Sequence, residues 1–155
     1  MKRRTFLKAS IASGATAVAI GAGILAPTGV LAAWNEAAFK TKTVEDGMGA
    51  VFGSANAVES ADIKLKAPAI AENGAVVPVE VDATALKGVE SIAIFADKNM
   101  IPIACTYKFS GAAVGFAAVR LKMGETQNVV AVVKAGGKLF KAKSEVKVTI
   151  GGCGG

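Results

Sequence analysis

Histidine is absent from all 155 residues, and little else in the chain does acid-base chemistry near neutral pH. Without imidazole the chain lacks the usual general base, the commonest metal ligand and any Ser-His or Cys-His nucleophile pair. Cysteine occurs twice, at Cys105 and Cys153, and two thiols without histidine do not make an ordinary zinc site. These absences argue against a self-sufficient enzyme. A true excess of one charge is missing as well. The formal net charge is +6, but Lys2, Arg3, Arg4 and Lys8 sit in the first ten residues, leaving 14 of the 18 basic side chains against 12 acidic ones. A remainder of +2 in scattered lysines reads as a solvated surface and not as a nucleic-acid binder.

What is present begins with a leader. Lys2 to Lys8 read Lys-Arg-Arg-Thr-Phe-Leu-Lys, and a weakly hydrophobic, alanine- and glycine-rich run follows from Ala9 to Ala26. Pro27 breaks it, and Val30-Leu31-Ala32 offers small residues for cleavage, so residues 1–32 are expected to be a signal peptide. The Arg-Arg-x-Phe-Leu-Lys core resembles a twin-arginine export signal, an address read by a receptor. An uncleaved membrane anchor is the competing reading; Gly14, Gly21 and Gly23 make a poor one. The expectation is a periplasmic protein with no stable membrane association. In that oxidising compartment an unpaired thiol needs a reason.

The remainder divides into a domain at 33–150 and a tail at 151–155. From Trp34 to Phe52 the apolar spacing predicts one or two short amphipathic helices, interrupted near Gly47 and ended by Gly53. From Asp62 onward the period is two. Strands are expected at 62–67, 76–81, 89–96, 101–109, 113–122, 128–135 and a last one ending at Ile150. Asn73-Gly74 marks a tight turn, Pro78 places its strand at an edge or bulge, and Gly136-Gly137 marks a hairpin. The nearly continuous apolar runs at 89–96 and 128–135 suit strands covered on both faces. In the last strand Phe140, Ala142, Val146, Val148 and Ile150 face inward, while Lys141, Lys143, Glu145 and Lys147 face out. About seven strands and no long helix predict an all-β, immunoglobulin-like antiparallel β-sandwich with short N-terminal helices and a flexible C-terminal arm. Cys105 is expected to be a buried, inert thiol, with a disulfide to Cys153 as the rival.

That arm is the candidate site. Cys153 stands between Gly151-Gly152 and Gly154-Gly155, residues without Cβ atoms that have little preference for any fold. At roughly 3.3–3.6 Å per residue it reaches about 10 Å beyond Ile150, far enough to enter a cleft on another protein. No Lys, Arg or helix N-terminus lies beside it in sequence to lower its pKa, so it reads as an attachment point and not as a reactive centre. The four glycines serve flexibility and passage down a narrow channel. No catalytic residue, metal site or resident cofactor is expected. Three classes remain open: a covalent carrier using Cys153, a thiocarboxylate-type carrier using the Gly154-Gly155 terminus, and an interaction domain linked by a disulfide. An exposed Cys153 also allows a disulfide-linked homodimer.

The tail, together with Glu72-Asn73-Gly74-Ala75-Val76-Val77-Pro78-Val79 and Val146-Lys147-Val148-Thr149-Ile150, resembles the SoxY family of periplasmic thiosulfate oxidation. One departure is Lys98-Asn99-Met100-Ile101-Pro102, where many relatives carry an Asn-Pro-x-Pro-like turn. The resemblance implies a non-catalytic subunit in a heterodimer with SoxZ. It implies that Cys153 carries the sulfur adducts and visits SoxAX, a c-type haem enzyme, then SoxB, a dimanganese hydrolase, and in some systems a sulfane dehydrogenase. It assigns no role to Cys105.

Overall fold

The computed structural model describes residues 35–149. The leader, Trp34, Ile150 and the tail at 151–155 lie outside the described residues. A 3-10 turn at Ala38–Lys40 leads into helix α1 at Val44–Phe52. Thr43 caps the helix by accepting from the Asp46 amide at 3.1 Å, and Glu45 and Asp46 place negative charge in the first turn, where the helix dipole favours it. Gly53 ends it at φ 77°, the left-handed conformation that favours glycine. Gly47 does not interrupt the helix as expected. It lies inside α1 because a Cβ there would stand 2.7 Å from the Phe95 ring, so the helix approaches the sheet where only glycine fits.

Nine strands follow: β1 (Val58–Glu59), β2 (Lys64–Lys66), β3 (Ile70–Ala71), β4 (Val77–Asp82), β5 (Val89–Ala96), β6 (Ile103–Lys108), β7 (Phe116–Leu121), β8 (Gln127–Ala135) and β9 (Lys138–Val148). The seven expected strands are all present. They form one sheet in the order β9-β8-β5-β6 and a second in the order β2-β4-β7, a two-sheet arrangement of immunoglobulin-like kind. The expectation of a purely antiparallel sandwich is corrected by two short strands with no periodic signal. Both β1 and β3 pair parallel with β9, covering its outer edge.

The sandwich core contains Val77, Val79 and Val81 of β4, Ile92 and Ile94 of β5, and Val129, Ala131 and Val133 of β8. A second cluster lies on the outer face of the larger sheet, where Ala93, Phe95, Ile103 and Val132 meet Met48 of α1 and Ala38. Two apolar layers explain why β5 and β8 read as continuous apolar runs: alternate residues enter different clusters. The β8–β9 hairpin turns at Gly136 (φ 54°) and Gly137 (φ 75°), two successive positive values that disfavour side-chain-bearing residues. Pro78 lies in β4, the middle strand of its sheet, and not at an outer edge. Pairing of β2 with β4 covers only Glu80 to Asp82, so Pro78 lies past its end. Asn73-Gly74 turns the chain through an Asx contact, Asn73 Oδ1 accepting from the Ala75 amide at 2.9 Å, and links the edge of the larger sheet to the smaller one. Among the described residues no helix is long and apolar enough to cross a membrane.

Candidate functional site

Gly151, Gly152, Cys153, Gly154 and Gly155 lie outside the described residues, and the structure defines what precedes them. In β9, Phe140, Ala142, Val146 and Val148 pack against the sandwich core, whereas Lys143, Glu145 and Lys147 are exposed; Lys141 is half-buried. Val146 is fully buried. The strand is therefore held in one register, because a slip of one residue would send these apolar side chains into water.

Both flanks of β9 are tied at its last residues. On one side Lys147 N–H donates to the Ala69 carbonyl at 3.0 Å and Thr149 N–H to the Ala71 carbonyl at 3.1 Å. The Thr149 hydroxyl adds a longer contact of 3.3 Å to the Glu72 carbonyl. On the other side Val148 N–H donates to Thr126 Oγ1 at 3.0 Å. Thr149 is thus tied on the β3 side at the last described position, four residues before Cys153 in the sequence.

The neighbouring loops are stitched to this point through side chains that local sequence reading missed. Gln127, only 2% exposed, accepts from Lys98 N–H at 2.8 Å and donates to Asn99 Oδ1 at 2.9 Å. Asn99 donates in turn to the Lys122 carbonyl at 2.8 Å, and Lys98 Nζ donates to the Thr126 carbonyl at 3.0 Å. Asp97 accepts from both the amide and the side chain of Asn128. Met123 N–H donates to the Gly74 carbonyl at 2.7 Å. The loops at 72–76, 97–102 and 122–126 therefore meet at the end of the sandwich from which the tail departs. Their signal in the sequence was only a density of Asn, Asp, Gln and Thr at strand ends.

Cys105 is a free thiol on β6, half-buried against the sandwich core and not fully enclosed as expected. Burial pushes its pKa up, and a hydrogen bond with Tyr107 offsets part of that rise. A thiol kept protonated in this way is a poor nucleophile. Among the described residues no group of three or more His, Cys, Asp and Glu could hold a metal ion.

These features define a class: an immunoglobulin-like domain that anchors a C-terminal tail at one end of its sandwich. The family model for the sulfur oxidation protein SoxY matches residues 48–153, and the chain belongs to the SoxY family of sulfur carriers. The solved structure of the sulfur carrier protein SoxY from Chlorobium limicola f thiosulfatophilum is 42% identical, covering 70% of this chain and 97% of its own, with a TM-score of 0.64. An engineered protein, 12% identical, aligns over 57% of this chain and 20% of its own with a TM-score of 0.41. No curated protein matches.

Proposed function

We propose that this protein carries sulfur intermediates of thiosulfate oxidation covalently on Cys153, presented on the Gly151–Gly155 arm. The observation that carries this reading is the SoxY family match, which runs to residue 153. The clamped end of β9 supports it, since a carrier needs a fixed base from which its arm departs. Loading joins the Cys153 thiolate to thiosulfate as Cys–S–S–SO3⁻ and releases two electrons, which a redox partner must accept. Hydrolysis by water then frees sulfate and two protons and leaves Cys–S–S⁻ on the arm.

On this reading each step is carried out by a partner, as the family resemblance implies. The family resemblance supplies SoxAX for loading, SoxB for hydrolysis, a sulfane dehydrogenase where one is present, and SoxZ as the stable companion. The Arg3-Arg4 motif supports a periplasmic cycle, with export by the twin-arginine route.

Intact-mass measurement of the mature protein from cells fed thiosulfate tests this reading. Sulfur adducts removable by reductant should map to the C-terminal peptide at Cys153. Mapping to the Gly155 carboxylate would replace the reading with the thiocarboxylate one. Cys153→Ser should abolish thiosulfate-dependent turnover in a reconstituted system while leaving the fold intact, and full activity would overturn the proposal.

A further inference from the structure

We infer that the end of the sandwich carrying Met100 and Ile101 is the surface on which partner enzymes dock when Cys153 enters their sites. The inference rests on the carrier reading and adds where the partner sits and what its contact surface offers. Cys153 is four residues beyond Thr149, so chain length alone keeps it within about 14 Å of that anchor. A reacting centre recessed below a partner's surface uses most of that distance. The mouth of the partner's site must then rest on the rim around Thr149.

That rim is unusually apolar for this protein. Of the seven large hydrophobic side chains exposed among the described residues, Ile70, Val76, Met100 and Ile101 all lie at this end. Ile70 pairs with Lys147 two residues before Thr149, and Val76 follows the loop tied to Met123 through Gly74. Met100 is 83% exposed and Ile101 42%, on a loop level with the start of β8. Two strand spacings, roughly 10 Å, separate that loop from β9, which is within the span of the mouth of a recessed site.

The loop is also held firmly. Lys98 and Asn99 are bound by Gln127, Asn99 by Lys122, and the Met100 carbonyl accepts from Lys42 Nζ at 3.3 Å. An apolar ridge fixed in advance loses little conformational freedom on contact, so its burial counts more fully toward binding. The fitting partner is an enzyme whose thiol-accepting site opens through an apolar collar.

The test is steady-state kinetics with this protein as the variable substrate of the enzyme that forms its thiosulfonate, in the reconstituted system. Met100→Glu combined with Ile101→Glu should raise KM about tenfold or more with kcat within about twofold, the signature of lost docking energy. The single Met100→Glu change, at a side chain the fold leaves in solvent, should raise KM in the same direction. Val114→Glu with Phe116→Glu, at the opposite end of β7, should leave both constants within about twofold. A wild-type KM for the Met100 and Ile101 pair, or an equal rise in the far-end pair, would overturn the docking inference. Retained turnover in Cys153→Ser would instead remove the carrier reading beneath it.

Discussion

Gln127 offers the sharpest test of how the loops around the tail are held. Replacing it by Met keeps an unbranched side chain of similar length but removes both hydrogen bonds, the 2.8 Å one from Lys98 N–H and the 2.9 Å one to Asn99 Oδ1. A net hydrogen bond contributes about 1 kcal/mol, and a buried group left without a partner costs about 1–3 kcal/mol. Asn99 is half-buried and Lys98 is exposed, so water recovers part of the loss. The expected destabilisation is about 2 kcal/mol. With an m-value of about 2 kcal/mol/M, urea unfolding of Gln127→Met should show a midpoint lower by about 1 M and an unchanged slope. The double change with Asn99→Ala should cost less than the two single changes summed, because one bond is common to both. A midpoint within about 0.2 M of wild type would refute the claim that this network carries stability.

Two further predictions concern other parts of the domain. Gly47→Ala and Gly49→Ala, in the same helix, should act in opposite directions. A methyl at Gly47 meets the buried Phe95 ring at 2.7 Å and should destabilise by about 1–3 kcal/mol, whereas one at Gly49 meets nothing within 4 Å and should stabilise by up to about 1 kcal/mol. Thermal unfolding of both variants checks the signs, and equal shifts would refute the packing argument. Cys105 should react sluggishly, since a raised pKa leaves less thiolate at any given pH. In Cys153→Ser protein, iodoacetamide at pH 8 should modify folded Cys105 on the order of tenfold more slowly than the urea-unfolded chain, as read by mass spectrometry; equal rates would refute it.

The seven main strands were legible because each buries one face or both, and burial leaves a period of two or an unbroken apolar run. Strands β1 and β3 were not, because two residues show no period and their pairing depends on β9, some 75 or more residues away. Gly47 misled for a related reason. A glycine inside a helix reads as a break unless the ring it must accommodate is known, and that ring comes from β5. Cys153 stood out through its glycine neighbours, a purely local pattern. Its base did not, since Thr126, Gln127, Asn99 and Ala71 gain their roles from partners 22 to 78 residues distant.

The setting of β9 also decides how the protein bears a load. A pull applied at Thr149 along the direction in which β9 runs would load the strand in shear. Because β9 is flanked lengthwise by β8 and, near its end, by β3, such a pull would have to slide many backbone hydrogen bonds past one another at once. It could not peel them singly. Parallel pairing with β3 therefore gives this domain mechanical resistance where a tail is tugged, though two residues of strand add little to its thermodynamic stability.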